Sequence, residues 1–314
     1  IISFTYIVLG LKMNIEKLDY KLVAALDSVI TEQSFEGAAT KLHITQSAVS
    51  QRIKQLEQWL AQPVLIRSSP IEATTIGQKL LSHYQKIKQL ENSLLSELRP
   101  ELTSKTTQIA IALNADTLAS WFIPAISPLL KQHNIALDLK VSNEEISHER
   151  LKKGEVFGAI SSQPTSFSGG KARHIGELDY VLCANNEFIK RYFNDGVNQK
   201  SLIHAPAISF DSSDKMHIDF IKNHFSLNGY DYPRHQVRSS EAFVSMCTSG
   251  VAYGLLPTTQ VQRLLEQGTL VDLAPELRIK QQLYWHSWHL ERGIHKLVSD
   301  TIVSYGQNLL KNDA

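Results

Sequence analysis

The chain is poor in the residue types that would give it chemistry of its own. Only two of its 314 residues are cysteine, Cys183 and Cys247. Both lie in apolar surroundings without the paired spacing of a zinc site, so buried, reduced thiols in a cytosolic protein are expected. No Gly-x-Ser-x-Gly elbow, Gly-rich phosphate loop, His-Glu-x-x-His pair or Cys-x-x-Cys pair occurs, which removes the commonest enzyme signatures. Of the 12 histidines, the nearest pair is His286 and His289 in YWHSWH. Side chains three apart on a strand point to opposite faces, so they are poor joint metal ligands, and Tyr284, Trp285 and Trp288 beside them read as strand packing. No catalytic residue, metal or cofactor is expected, and the chain reads as a non-enzyme. Long apolar runs are missing as well. The opening IISFTYIVLGLK is apolar but too short to cross a bilayer, and it has neither an initiating Met nor a basic leader. Residues 1–12 are expected to be an extension ahead of Met13, with secretion and membrane anchoring set aside. An exported solute-binding protein would need a leader and would have no use for the segment described next.

Net charge is also scarce, at +1 from 32 Lys and Arg against 31 Asp and Glu. Its distribution is uneven. Between Lys41 and Lys88 there are seven cations (41, 52, 54, 67, 79, 86, 88) and two acids, Glu57 and Glu72, a local balance of +5. Such concentration around one motif is the footprint of phosphate contacts. The motif is SFEGAATKLHITQSAVSQRIKQLEQW, residues 34–59. Ser34 can cap a helix whose inward residues Ala38, Ala39 and Leu42 are small or apolar, letting a second helix cross closely. His43 and Ile44 make a turn, and Thr45 can cap the next helix, where Ala48, Val49, Ile53 and Leu56 form an apolar stripe. Gln46, Ser47, Ser50, Gln51 and Lys54 occupy its other face. Gln can bond adenine bidentately, Ser can meet any base edge, and Arg52 and Lys54 can hold phosphate or guanine. PVLIRSSPIEATT then reads as two extended pieces about a Ser-Pro turn, a wing with Arg67 placed to meet the DNA backbone.

Thr75-Ile76-Gly77-Gln78 fits a capping box opening a helix to about Leu98, with Ile76, Leu80, Tyr84, Ile87, Leu90, Leu94 and Leu98 at helical spacing and Arg99-Pro100 as its stop. Some 24 residues make a rod about 36 Å long, more than a small winged domain can cover. Leu80, Ile87 and Leu94 recur every seven residues, so pairing with the same helix of a second copy is expected, Tyr84 included. From about Ser104 the texture becomes alternating strands and helices. TQIAIAL, IALDLKVS and VFGAIS are strands separated by a helix over 116–130 and one opened by Ser142 with Glu145, a parallel α/β pattern. After a loop, QPTSFSGGKARHIG, the pattern repeats with LDYVLCAN, APAISFD, HQVRS, a helix over 240–249 and VAYGLLP. LVDLA and QQLYWHSW are further strands, and 293–311 is an amphipathic closing helix. Two α/β halves with a late return to the first describe a clamp that binds a small molecule between them.

That order, with AATKLHITQSAVSQRIKQLE, PVLIR and TTIGQKLL, resembles the LysR-type transcriptional regulators over residues 13–311. NADTLASWFIPAI, RLKKGEVFGAIS, LDYVLCAN, SSEAFV and LYWH are similar to the arginine- and lysine-responsive members of that family. The resemblance implies an α/β multidomain protein. It has a winged helix-turn-helix (13–74), a dimerisation linker helix (75–103) and a periplasmic-binding-protein-like effector domain with lobe I at 104–164 and 269–314 and lobe II at 165–268. It further implies a cytoplasmic homodimer or dimer of dimers that binds double-stranded promoter or operator DNA, works with RNA polymerase, and takes L-lysine or L-arginine as co-effector in controlling amino-acid export or metabolism. A sequence-tolerant architectural DNA binder that inhibits replication initiation, or a regulator answering another small molecule, remains the alternative.

A basic amino acid brings a carboxylate, an α-ammonium and a distant cation. Asn114, Asp116 and Thr117 stand where a strand gives way to a helix whose free N–H groups can receive a carboxylate, although Asp116 could equally serve only as the cap. Ser161 and Ser162 end the strand on the same edge. Asp211, and Ser239, Ser240 and Glu241 at the start of a later helix, complete the expected cluster. Asp211 and Glu241 are the candidates for the ligand's ammonium groups, or else simple caps or solvated acids.

Overall fold

A computed structural model describes residues 18–98, 106–142, 144–167, 169–212 and 214–310, without the side chains of 89, 92, 93, 95–98 and 144–146. The expectations for residues 1–12, for the Arg99-Pro100 stop and for the side chains of Leu98 and Glu145 lie outside what is described. The chain divides into two compact units, the first ending at Lys86.

The first unit opens with α1 (Tyr20–Glu32), capped by Asp19, whose carboxylate accepts from the Lys21 N–H. α2 (Phe35–Leu42) and α3 (Gln46–Leu60) follow. Ser34 accepts from the N–H groups of Glu36 and Gly37, and Thr45 accepts from that of Ala48, so both caps stand where the residue types put them. His43 makes the turn in the left-handed region at φ 53°. Ala38 and Ala39 are buried with Val49, Ile53 and Leu56 and with Val23, Leu26 and Val29 of α1, forming one core for three crossing helices. Their small side chains allow that close crossing.

Strands β1 (Leu65–Ile66) and β2 (Glu72–Ala73) pair antiparallel as the wing. α4 (Thr75–Leu98) then runs for 24 residues. Its start corrects the expected capping box. The cap is Thr74, whose Oγ1 accepts from the Gly77 N–H at 3.2 Å and donates to the Pro63 carbonyl at 2.8 Å. The Gln78 amide donates back to the Ala73 carbonyl at 3.3 Å, so the box does not close. A Cβ at Gly77 would sit 2.2 Å from the Val64 carbonyl oxygen, so glycine is what lets the helix start lie against the wing.

In the second unit β3 (Thr107–Leu113) pairs in parallel with β4 (Ile135–Val141) and β5 (Gly158–Ser161), as the α/β pattern predicts. Between β3 and β4 the expected single helix comes in three continuous parts. These are α5 (Ala115–Thr117), a π-turn (Leu118–Phe122) and α6 (Ile123–Gln132), with α7 (Glu144–Lys152) before β5. Next comes β6 (Gly170–Ala184), and here the expected loop is overturned, because GKARHIG is the first half of a 15-residue strand. Its partner is β11 (Ile279–Trp288), antiparallel from Ile279 opposite Tyr180 to Trp288 opposite Gly170, with a bulge at Leu283/Tyr284 facing Gly176. This remote pairing decides the structure, since Gly and charged residues read locally as loop.

α8 (Asn186–Tyr192), α9 (Gln199–Leu202), β7 (Ala207–Ser209), α10 (Lys215–Phe225), β8 (Arg234–Gln236), α11 (Ser240–Thr248), β9 (Gly254–Pro257), α12 (Thr258–Glu266) and β10 (Val271–Asp272) build the other lobe. α13 (Gly293–Leu309) closes the chain. The strand order is β10-β6-β11-β5-β3-β4 with β9 also on β6, so a single mixed sheet threads both lobes through β6 and β11. The second lobe is therefore not a parallel repeat of the first, although β7 and β8 do pair in parallel. Cys183 and Cys247 are free and buried in an apolar cluster, and burial pushes both thiols up, Cys247 to about 12.

Candidate functional site

Two surfaces carry the residues singled out by sequence. On α3, Val49, Ile53 and Leu56 face the core, which turns Gln46, Ser47, Gln51 and Lys54 to solvent and leaves Ser50 and Arg52 half-exposed. Thr45 is exposed at the cap, its Oγ1 2.9 Å from the Ser47 hydroxyl. Ser34 is spent on capping α2. Arg67 is exposed on the wing with its guanidinium 5.5 Å from the Phe35 ring centroid, which orients the cation without neutralising it. Along α4 the expected dimer stripe splits. Leu80 and Tyr84 pack against the core of their own unit and Ile87 is half-buried, whereas Leu90 and Leu94 lie 37% and 50% exposed.

The second surface is a cleft of about 780 Å³ between the lobes. Asn114, Asp116, Ser162, Asp211 and Ser240 line it, as expected. Thr117, Ser161, Ser239 and Glu241 do not. Thr117 and Ser161 are buried, the latter with its Oγ 3.1 Å from His286 Nε2. Ser239 caps α11 by accepting from the Ala242 N–H. Glu241 is exposed, and its carboxylate accepts from the Ser239 hydroxyl at 3.0 Å. Both belong to the helix start, where a short polar side chain and an acid are locally favoured.

Asn114 rather than Asp116 caps the helix after β3, accepting from the Thr117 N–H at 3.0 Å. Asp116 is thereby released toward the cleft. One carboxylate oxygen accepts from the Tyr180 hydroxyl at 2.8 Å and the other from the Ser240 hydroxyl at 2.6 Å. These donors come from β6 and from the first residue of α11, so one acid ties the two lobes together at the cleft floor. Burial pushes its carboxyl above the ordinary range, the two hydrogen bonds pull it back, and the charges of Asp214 and Glu241 push it further up.

Asp211 is paired with Arg238 at 3.2 Å, so its charge is already met. Sequence reasoning missed Asp214, Arg238, Gln163, Gln281 and Tyr180 on this wall. Tyr180 did leave a signal, because a tyrosine inside an apolar strand needs a partner for its hydroxyl. Burial and the nearby His148 hold His286 down at about 4, and His289 lies past the strand end on the surface. No group of three or more His, Cys, Asp or Glu that could hold a metal ion occurs among the described residues. No helix among them is long and apolar enough to cross a membrane.

A winged helix-turn-helix followed by a two-lobed clamp defines a ligand-sensing regulator of DNA. Family profiles agree on both parts. "Bacterial regulatory helix-turn-helix protein, lysR family" matches residues 20–78, and "LysR substrate binding domain" matches residues 103–302. The chain belongs to the LysR family of bacterial transcription regulators, which are not enzymes. It is 48% identical to the HTH-type transcriptional regulator ArgP of Aeromonas salmonicida over 294 residues, 94% of this chain and 98% of that one. It is 45% identical to ArgP of Vibrio parahaemolyticus over 93% of this chain and 98% of that protein. Among solved structures it is similar to ArgP from Mycobacterium tuberculosis (TM-score 0.83, 30% identity, 92% of this chain and 98% of the other). It is also similar to full-length LysG from Corynebacterium glutamicum with its effector Arg bound (TM-score 0.75, 27% identity, 93% and 99% covered).

Proposed function

We propose that this regulator senses a basic amino acid, L-lysine or L-arginine, in the inter-lobe cleft and controls genes of amino-acid export or metabolism. The observation that carries the reading is Asp116, an acid at the cleft floor with donors from β6 and α11 and Asp214 close enough to raise its pKa. An empty site with two neighbouring acids is unfavourable, and a ligand ammonium relieves it. Arg238, which is exposed and keeps free N–H groups beyond its Asp211 pair, Lys215 and the hydroxyls of Ser142 and Ser162 line the same cleft and can receive a carboxylate. The names of the ArgP relatives and the arginine held by LysG support the same chemistry.

In this reading Gln46, Ser47, Ser50 and Gln51 meet base edges while Arg52, Lys54 and Arg67 meet phosphates. Leu90 and Leu94 join two copies in the cytoplasm, so that DNA is read as paired half-sites. A thermal-shift screen of the full chain against the twenty amino acids tests the ligand class. Lysine or arginine is expected to raise the melting temperature; at 100 times Kd, a ligand of the folded state adds about 2.7 kcal/mol. A rise with neutral or acidic amino acids and none with lysine or arginine would reject the assignment.

A further inference from the structure

Beside the cleft, in the lobe built on β7 and β8, four side chains bring together buried polar atoms that have no hydrogen-bond partner. His217 of α10 is 2% exposed, Tyr232 6% and Tyr253 0%. Both His217 ring nitrogens, the hydroxyls of Tyr232 and Tyr253 and Nη1 of Arg234 are buried without a hydrogen-bond partner. Buried polar groups are normally satisfied, so four such groups at one place signal an occupant.

They are mutual neighbours. The His217 ring lies 5.9 Å from that of Tyr232 and 5.7 Å from that of Tyr253, and the Arg234 guanidinium is 5.8 Å from the Tyr232 ring. Charge–charge influence links the remaining pairs, Arg234 with His217 and Tyr253, and Tyr232 with Tyr253.

The chemistry of the groups selects the occupant. Burial and Arg234 lower His217 to about 3, burial raises Tyr232 to about 12, and burial also holds Tyr253 well above its ordinary value. Near neutral pH the cluster therefore presents neutral imidazole, two phenolic O–H donors and one guanidinium. Arg234 makes no ion pair with any described residue, whereas Arg238 on the next turn of chain is paired with Asp211. The acids that face Tyr232 are Asp214 and Asp231. Each already accepts a backbone N–H, from Phe210 and Asn228 respectively. One cation without an ion pair, ringed by donors, suits one negative charge. A second charge would meet Asp214 with no further cation to balance it.

We propose that His217, Tyr232, Arg234 and Tyr253 form an internal site for a small monovalent anion, free chloride or a carboxylate group. The site does not rest on the amino-acid reading of the cleft, although His217 also lines the cleft wall. Occupancy would therefore be felt by α10, which carries Lys215 and Met216 into that wall.

Chlorine-35 NMR line width of the full chain, titrated in sodium chloride at constant ionic strength, provides the test. The parent is expected to show a saturable excess width, with Arg234→Gln losing more than half of it and Tyr253→Phe weakening it several-fold. Thermal melts establish that both variants are folded. Acetate separates the two sources: displacement of the chloride signal assigns the site to carboxylates as well as halides, and its persistence assigns it to halide alone. Equal excess widths for the parent and a folded Arg234→Gln variant would overturn the site. So would a bromide-soaked crystal with no anomalous peak beside Arg234, the four groups being met by water.

Discussion

Asp116 is pulled two ways, and its pH behaviour follows from the balance. Burial and the neighbouring acids raise its folded pKa, more than the Tyr180 and Ser240 hydroxyls lower it. A carboxyl whose folded pKa lies above its unfolded value stabilises the fold fully below the unfolded value and loses that contribution as pH rises through the folded one. The melting temperature of the ligand-free protein should therefore fall across that window, and Asp116→Asn should flatten the fall. Ligand binding has the opposite slope. A cation requires the ionised carboxylate, so affinity for lysine should weaken as pH drops through the raised pKa, with a proton released on binding. Calorimetric titrations in buffers of different ionisation enthalpy measure that proton directly. Replacing the charged acceptor by an amide should cost about 1.5–3 kcal/mol, or about 10- to 150-fold in Kd. Glu241→Gln, on an exposed helix start, should change Kd by less than about threefold, corresponding to at most ~0.7 kcal/mol. A large loss at Glu241 with none at Asp116 would reverse the assignment of the ammonium site.

At the scale of elements, what the sequence makes legible is local. Ser34 and Thr45 could be placed because a cap is decided by the residue and its next three N–H groups. The extent of α4 was readable from periodicity, but its start was not. Thr74 and Thr75 are both capable caps, and the choice falls to the Pro63 carbonyl that Thr74 reaches across the wing. The first half of β6 was hidden for the same reason, since only β11, about a hundred residues away, makes GKARHIG a strand. In the cleft, Asn114, Asp116 and Ser240 were visible as polar residues at strand ends and helix starts. Tyr180 signalled only that its hydroxyl needs a partner; that the partner is Asp116, 64 residues away, is decided by the fold. Gly77 offers a direct check on the wing junction. Gly77→Ala places a methyl 2.2 Å from a backbone carbonyl that cannot rotate away, so it should destabilise the first unit by about 1–3 kcal/mol in denaturant melts despite alanine's better helix propensity. Further along the same helix, Leu90 and Leu94 are apolar residues at i, i+4 that stay 37% and 50% exposed. Leu94→Glu should lower the association state in sedimentation analysis while leaving the helical circular dichroism signal intact.

For the whole molecule the question is whether recognition of DNA and of the small molecule are separate properties. The residues assigned to each lie in different compact units, with Gln46 and Ser50 in the unit ending at Lys86 and Asp116 in the one that follows. Separate cores predict separable losses. Gln46→Ala removes a candidate bidentate base contact and should cost about 1–3 kcal/mol on the preferred site while leaving lysine titrations unchanged. Lys54→Gln should instead weaken binding to all DNA alike and reduce the slope of log K against log salt by about 0.9, the value expected for one phosphate contact. The pair also discriminates a regulator from an architectural binder. A protein that only neutralises phosphate would respond to Lys54→Gln and be indifferent to Gln46→Ala, because its affinity holds no base-specific term to lose. If, instead, Gln46→Ala abolished the lysine response in the absence of DNA, the two functions would share a folding unit. The apolar core that α1, α2 and α3 form with the wing and the start of α4 argues against that outcome, because Gln46 lies on the solvent side of it.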